Sequence, residues 1–173
     1  ADKALLLKKY GINRASIGLQ STNIKELTLM NRKHSLNDVK NTVDLLSSVG
    51  IDNYSLDIMY SLPFQTMDSL KKTIDDALSL KPKHLSLYSL TIEDNTVFGK
   101  KGIKNLDEDT EADMYEFISK YLSDCGFVHY EVSNFAYEGY ESKHNMAYWK
   151  YDDFIGLSLG ASGKENHVRY DKT

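Results

Sequence analysis

Cysteine is almost absent from this chain, with one residue among 173, and its scarcity excludes two kinds of structure. A single thiol cannot form a disulfide within the chain, which fits a reducing cytoplasm. It also cannot supply the three thiolates of a three-cysteine cluster site. Cys125 itself falls on an apolar helix stripe, so we expect it to be an inert core residue.

Other absences narrow the function further. No apolar run approaches the length of a membrane span. The apolar stretch at the start of the chain is too short, and its surroundings are too acidic, for a signal peptide. A net charge of −4 gives no general attraction to nucleic acid or to an anionic membrane, so neither is an expected partner. The five histidines are scattered, and no pair has the spacing of a helical metal site.

What the chain does have is a regular alternation of strands and helices. Apolar strands are predicted at 15–20, 54–57 and 85–91, with a short fourth strand near 128–132. Ser35 and Thr66 are expected to cap the intervening helices, and the acids at 107–109 to begin the next one. This order predicts an α/β fold, a parallel sheet with helices on its outer face. At this length the chain is too short for a closed eight-stranded barrel and is expected to form a partial one.

The alternation of strands and helices stops near residue 133, where the boundary between two regions is predicted. Residues 1–133 would form the partial barrel. Residues 134–173 are aromatic and polar, then rich in glycine, and we expect an irregular segment covering the rim of the sheet. Gly160 and Gly163 would leave backbone open to a ligand there.

Polar residues end the three predicted strands: Gln20, Asp57 and Thr91. Because the carboxyl ends of parallel strands share one rim, these side chains are expected to converge on a ligand site. A carboxylate can hold two ribose hydroxyls, and a glutamine amide both donates and accepts. The alternative is that Gln20 and Asp57 only bond loop amides at the strand ends.

Two further residues each have two interpretations, one as a ligand-binding residue and one without a functional role. Arg32 could pair with Asp57 or grip a ligand carboxylate, or it could be a solvated surface arginine. His144, followed by Tyr148 and Trp149, could ligate a haem iron while the rings pack on the macrocycle. Alternatively His144 is a loop histidine that bonds backbone, which composition alone favours.

Motifs along nearly the whole chain resemble the oxygen-independent coproporphyrinogen III oxidase family of radical SAM proteins. The matching segments are 11–21, 31–32, 56–60, 62–63, 65–66, 85–88, 107–114 and 130–136. The His-Asn-x-x-Tyr-Trp segment at 144–149 resembles the haem-chaperone branch of that family, and this resemblance reverses the preference against His144 as a haem ligand.

The resemblance implies the cofactors. S-adenosylmethionine would be held on the barrel rim by Gln20, Arg32, Asp57 and Thr91, with Asp57 on the ribose hydroxyls and Arg32 on the carboxylate. A [4Fe–4S] cluster would be held by a cysteine motif outside this chain, and haem by His144. Ser61, Phe64 and the stretch 156–162 depart from the family pattern. These departures bear on what the resemblance implies for the loops, not on what it implies for the fold.

Three functional hypotheses follow from the resemblance. The first is a radical SAM oxidoreductase that decarboxylates coproporphyrinogen III. The second is a haem chaperone that carries porphyrin or haem to haem-receiving proteins. The third is that these 173 residues alone are catalytically inactive, since one cysteine cannot hold the cluster. Whether the chain belongs to an enzyme stays open, and open sheet edges are compatible with a dimer.

Overall fold

The computed structural model describes residues 2–172. Two compact units are present, the first ending at Tyr140 and the second beginning at Glu141. No helix within residues 2–172 is both long and apolar enough to cross a membrane. The division predicted at residue 133 stays a prediction.

A five-stranded sheet forms the centre of the first unit, in the order β1-β2-β3-β5-β4. Its strands are β1 (Ala15–Gln20), β2 (Tyr54–Tyr60), β3 (His84–Ser89), β4 (Val128–Glu131) and β5 (Asn134–Ala136). The first three strands are parallel, as predicted, whereas β5 runs antiparallel to both β3 and β4. The α/β class with a mostly parallel sheet is therefore confirmed.

Three strand predictions need correction. Strand β2 continues three residues beyond Asp57, because Ile58 and Tyr60 are apolar and buried on the same side of the sheet as Leu56. Strand β3 ends at Ser89, before Thr91. Residues 134–136 were expected to begin an irregular segment, yet they form β5, which pairs with β3 and buries Phe135 to 1% exposure.

The helices of the first unit are α1 (Asp2–Lys9), α2 (Ile24–Leu29), α3 (Leu36–Ser48), α4 (Met67–Ser79), α5 (Val97–Lys100) and α6 (Glu108–Asp124). Of these, α3, α4 and α6 begin where local sequence predicts, and the other three were not predicted. Ser35 and Thr66 each form a reciprocal capping box at the start of α3 and α4, and Asp107 caps α6. The predicted caps are confirmed.

The two faces of the sheet differ in chemistry because side chains alternate along each strand. One face packs on α3, α4 and α6 through a core that includes Leu56, Ile58, Leu85, Leu87, Phe135, Val43, Ile74 and Met114. The opposite face, which we call the inner face, carries polar residues: Ser16, Ser55, Asp57, His84, Ser86 and Asn134. The fold therefore gathers polar groups on one side of its sheet.

The second unit is ordered rather than irregular, which corrects the expectation for this segment. It contains α7 (Lys143–Trp149) and a hairpin of β6 (Ser162–Glu165) and β7 (Val168–Asp171). Lys164 is buried to 1% exposure and donates to Asp153 Oδ1 and to the Tyr151 carbonyl, each at 2.8 Å. A Cβ at Gly163 would lie 2.3 Å from the Tyr170 ring, so this glycine admits Tyr170 rather than a ligand.

Candidate functional site

Asp57 lies on the inner face in the middle of β2, rather than at the end of the strand as predicted. Its half-buried carboxylate accepts hydrogen bonds from Ser16 Oγ at 2.8 Å and 2.7 Å, and from Ser55 Oγ at 3.4 Å. A carboxylate has about four acceptor positions. These serines leave part of that capacity available to a ligand hydroxyl.

Gln20 ends β1 next to Asp57 in the register of the sheet. Gly18 is opposite Asp57 and Gln20 is opposite Ile58, with an irregularity between residues 18 and 20. Gln20 has a φ of 64°, an uncommon conformation for a residue with a side chain. A Cβ at Gly18 would lie 2.8 Å from Gln20 Nε2, so Gly18 makes room for this amide beside Asp57.

The other two predicted rim residues are less closely associated with Asp57. Thr91 is exposed and lies two residues beyond the end of β3. Arg32 is exposed in the segment after α2. Within residues 2–172 no ion pair joins Arg32 to Asp57, so that pairing is not formed.

Arg14 is the cation of the inner face, and the sequence analysis missed it. It directly precedes β1, and one of its guanidinium nitrogens donates to the Tyr140 carbonyl at 3.0 Å. Burial lowers the pKa of Arg14, while the nearby Tyr130 and Asp57 partly oppose that shift. Arg14 is therefore a positive charge near Asp57, although no ion pair joins the two in the described part of the chain.

His84 was also missed as a site residue. It is buried to 1% exposure at the start of β3, with Nδ1 2.8 Å from Ser55 Oγ and Nε2 2.7 Å from Tyr130 Oη. Burial, with a smaller effect of Arg14, lowers the pKa of His84 from 6.5 to about 3. His84 is therefore a neutral imidazole that connects β2 with β4. Polar residues at every second position of β2 and β3 were the sequence feature that indicated this face.

A second carboxylate, Glu26 on α2, lies at the loops that follow β1 and β2. It is 5% exposed and accepts from Ser21 Oγ and Ser69 Oγ, each at 2.6 Å, and from Gln65 Nε2 at 3.1 Å. We call this group the Glu26 cluster. Its partners come from the loop after β1 and from both sides of the start of α4. It therefore ties these segments together.

His144 lies on α7 of the second unit, not in a loop. It is exposed, and its Nε2 is 2.8 Å from Tyr148 Oη, one helical turn away. Tyr148 in turn packs edge-on against Phe154, with ring centroids 4.6 Å apart. Trp149 is 58% exposed. A histidine among accessible aromatic rings has the donor chemistry that haem iron requires.

An iron–sulfur cluster does not fit the residues of this chain. Its one cysteine, Cys125, is partly buried at the end of α6, packed against the core. Residues 2–172 also contain no group of three histidine, cysteine or acidic side chains arranged to hold a metal ion. Cluster ligands must be cysteine thiolates in sufficient number. No chemical step through a cluster is assigned to these residues.

The class of protein follows from fold and sequence together. Residues 1–77 match the family model of the Radical SAM superfamily. A solved structure titled "Coproporphyrinogen III oxidase (HemN) from Escherichia coli is a Radical SAM enzyme" superposes with a TM-score of 0.79 at 20% identity. That match covers 94% of this chain and 41% of the other, and it confirms the partial TIM-like barrel fold.

The particular relatives are proteins named "Heme chaperone HemW". The chain is 41% identical over 169 residues to that of Lactococcus lactis, and 37% identical over 164 residues to that of Escherichia coli. Each match covers 95% of this chain, but 45% and 43% of the relatives. The chain thus spans less than half the length of these relatives. The resemblance to the radical SAM family and its haem-chaperone branch is confirmed, and a radical SAM domain implies S-adenosylmethionine and an iron–sulfur cluster.

Proposed function

We propose that this chain supplies the S-adenosylmethionine-binding part of a radical SAM protein of porphyrin and haem metabolism. The observation that carries the proposal is the Asp57 carboxylate, which lies on the inner face of a partial barrel with acceptor capacity left over. Gln20 lies beside it in the register of the sheet. Ribose hydroxyls need acceptors of this kind, as in other nucleotide sites.

The remaining contacts in the proposal come from the resemblance. Arg32 would hold the carboxylate of the methionine portion, since its exposed guanidinium is not committed to Asp57. Thr91 would contact the ligand from the loop after β3. Both lie on segments that follow or connect strands, where small shifts can bring a side chain to a ligand. The cluster would be held by cysteines that are not in this chain.

Titration of S-adenosylmethionine into the chain, followed by calorimetry, tests this proposal. Asp57→Asn is expected to weaken binding at least about tenfold, because an amide replaces one acceptor oxygen by a donor. Asp44→Asn is the matched control, since Asp44 is an exposed carboxylate on α3. Equal affinities of the two variants would exclude Asp57 as a ligand contact.

A haem chaperone without oxidase activity is the second candidate function, and the geometry of α7 favours it. His144 is exposed next to Tyr148 and Trp149, and the similar curated proteins bear the name "Heme chaperone HemW". Under this hypothesis the protein carries porphyrin or haem toward a haem-receiving protein.

Haem titration followed in the Soret band tests His144 as the ligand. His144→Ala is expected to lose the bound spectrum, whereas His167→Ala, which alters another exposed histidine of the same unit, should keep it. Unchanged spectra in His144→Ala would remove this histidine from the proposal. Haem binding without conversion of coproporphyrinogen III by the protein would favour the chaperone over the oxidase.

The chain alone is expected to perform no radical chemistry. Cys125 is its single thiol, and S-adenosylmethionine cleavage in this class needs electrons from a cluster. Anaerobic iron–sulfur reconstitution of the chain, followed by an assay for 5′-deoxyadenosine, checks this expectation. Formation of that product would contradict it.

A further inference from the structure

A continuous row of hydrogen bonds crosses the inner face from β4 to β2. Tyr130 Oη is 2.7 Å from His84 Nε2, His84 Nδ1 is 2.8 Å from Ser55 Oγ, and Ser55 Oγ is 3.4 Å from Asp57 Oδ1. His84 and Ser55 are each 1% exposed, so protein atoms rather than solvent decide their orientation. The row ends on the carboxylate proposed to hold the ribose.

The direction of these hydrogen bonds depends on the tautomer of His84. A neutral imidazole donates from one nitrogen and accepts at the other. With the proton on Nδ1, His84 donates to Ser55, which leaves the Ser55 hydroxyl hydrogen for Asp57 Oδ1 or Ser86 Oγ, each 3.4 Å away, and the carboxylate is the stronger acceptor of the two. With the proton on Nε2, His84 donates to Tyr130, and the Ser55 hydroxyl turns toward Nδ1 and away from Asp57.

The charge at the end of the row selects between the two directions. A carboxylate only accepts hydrogen bonds, so it attracts the hydroxyl hydrogen of Ser55. In the opposite arrangement, a lone pair of Ser55 Oγ would face Asp57 Oδ1 at 3.4 Å, which is unfavourable in a buried site. The arrangement with Nδ1–H is therefore the more stable one.

We propose that His84, as its Nδ1–H tautomer, is a positioning residue that orients Asp57 through Ser55 for binding the ribose of S-adenosylmethionine. This inference rests on the proposed function and adds residues to it. A carboxylate whose orientation is already set loses less conformational freedom when it binds a ligand. Ser16 Oγ contacts both oxygens of the same carboxylate, Oδ1 at 2.8 Å and Oδ2 at 2.7 Å.

The first experiment measures the tautomer in the chain without ligand. Long-range ¹H–¹⁵N correlation spectra distinguish a protonated ring nitrogen from an unprotonated one. We expect a single neutral form of His84, with Nδ1 protonated and Nε2 unprotonated, between about pH 5 and pH 8. A protonated Nε2 with a bare Nδ1 would overturn the proposal.

The second experiment compares two buried serines of the first unit. Ser55→Ala removes the link between His84 and Asp57 and is expected to weaken S-adenosylmethionine binding about five- to tenfold. Ser61→Ala is the control, because Ser61 is 0% exposed and its hydroxyl donates to Glu111 at 3.0 Å rather than to the row that ends on Asp57. Equal losses in the two variants would overturn the role of Ser55, since loss of a buried hydroxyl alone would then explain both.

A conservative replacement separates positioning from packing. The side-chain amide of Asn can place an N–H near the position of Nδ1, so His84→Asn is expected to keep affinity within about threefold of the wild type. His84→Ala is expected to fall to the level of Ser55→Ala. Similar affinities of His84→Asn and His84→Ala would contradict the donor role of Nδ1.

The two proposals fail in different ways. If the wild-type chain did not bind S-adenosylmethionine, the proposed function would be overturned for this chain. The tautomer of His84 is read without ligand, so it still decides whether the hydrogen bonds are directed toward Asp57. If S-adenosylmethionine bound and His84 had the opposite tautomer, the proposed function would stand, but the positioning role of His84 would be overturned.

Discussion

Two carboxylates of the first unit, Glu26 and Asp57, are both held by serine hydroxyls, yet Glu26 is nearly fully buried among three donor groups whereas Asp57 is half-buried with two. Glu26 is 5% exposed and receives hydrogen bonds from Ser21, Ser69 and Gln65 at 2.6–3.1 Å. Its donors belong to separate segments, so the charge acts as a tie between them. Nothing in this arrangement offers Glu26 to a ligand.

Asp57 is half-buried and has fewer donors. Ser16 contacts both of its oxygens, Ser55 contacts one at the longer distance of 3.4 Å, and Arg14 contributes a nearby charge. Asp57 with Ser16, Ser55 and His84 is here called the Asp57 cluster. The comparison teaches that the number of protein donors, together with the exposure of the carboxylate, distinguishes a binding group from a structural one.

Lowering the pH is expected to reveal the largest difference between the two clusters in their effect on the free energy of unfolding, because only the Asp57 cluster contains His84. The pKa of His84 falls from 6.5 to about 3 in the folded chain. Below pH 6.5 the unfolded chain therefore binds a proton that the folded chain does not, so the free energy of unfolding decreases as pH falls toward 3. The loss attributable to His84 should reach about 3 kcal/mol near pH 4.5, measured by urea unfolding at a series of pH values.

The control for this prediction is the difference between variants. His84→Asn should lack this part of the pH dependence, whereas Glu26→Gln should retain it because its cluster contains no histidine. Other carboxylates contribute equally to the wild type and to His84→Asn, so subtraction isolates His84. Parallel curves for the wild type and His84→Asn would show that His84 is not held neutral by the fold.

The second largest difference is expected when each carboxylate is replaced by an amide at neutral pH, because the two variants should lose different amounts of stability. Glu26→Gln is expected to lower the free energy of unfolding by about 2 kcal/mol, because an amide NH₂ then faces donors in a buried site. Asp57→Asn should cost only about 0.5 kcal/mol, since its surroundings are half open and fewer donors lose a partner. Urea unfolding at constant buffer measures both. Equal losses would mean that Asp57 is as much a structural group as Glu26.

Local sequence was enough to predict the starts of α3, α4 and α6 and the first strand, but not α1, α2 and α5. Ser35, Thr66 and Asp107 cap their helices through residues three positions away, and such short-range geometry is encoded nearby. Strand β5 was missed because a three-residue strand is decided by its partner β3, far away in the chain. Asp57 was predicted at the end of a strand because the predicted strand stopped at this polar residue, whereas β2 continues to Tyr60.

The candidate site was only partly predictable for a related reason. Asp57 and Gln20 were predicted from their positions after apolar runs, and the sheet does make them neighbours in register. Arg14 was missed because only the folded sheet brings it near Asp57, and the contact of Arg32 with a ligand stays a prediction. His84 and Ser55 were missed although polar residues alternate with apolar ones along β2 and β3, which indicates a second, polar face.

The smallest expected effect concerns the turn that carries Gln65 into the Glu26 cluster. Phe64 is 86% exposed and has a φ of 66°, a left-handed conformation that glycine adopts without steric cost. Phe64→Gly should therefore raise the free energy of unfolding by about 0.5 kcal/mol, after the greater chain entropy of glycine is subtracted. Ser61→Gly is the control, since Ser61 has a φ of 56° but also donates to Glu111 at 3.0 Å, and its loss should cancel the gain. A destabilised Phe64→Gly would indicate that the Phe64 ring, rather than the backbone of the turn, holds Gln65 against Glu26.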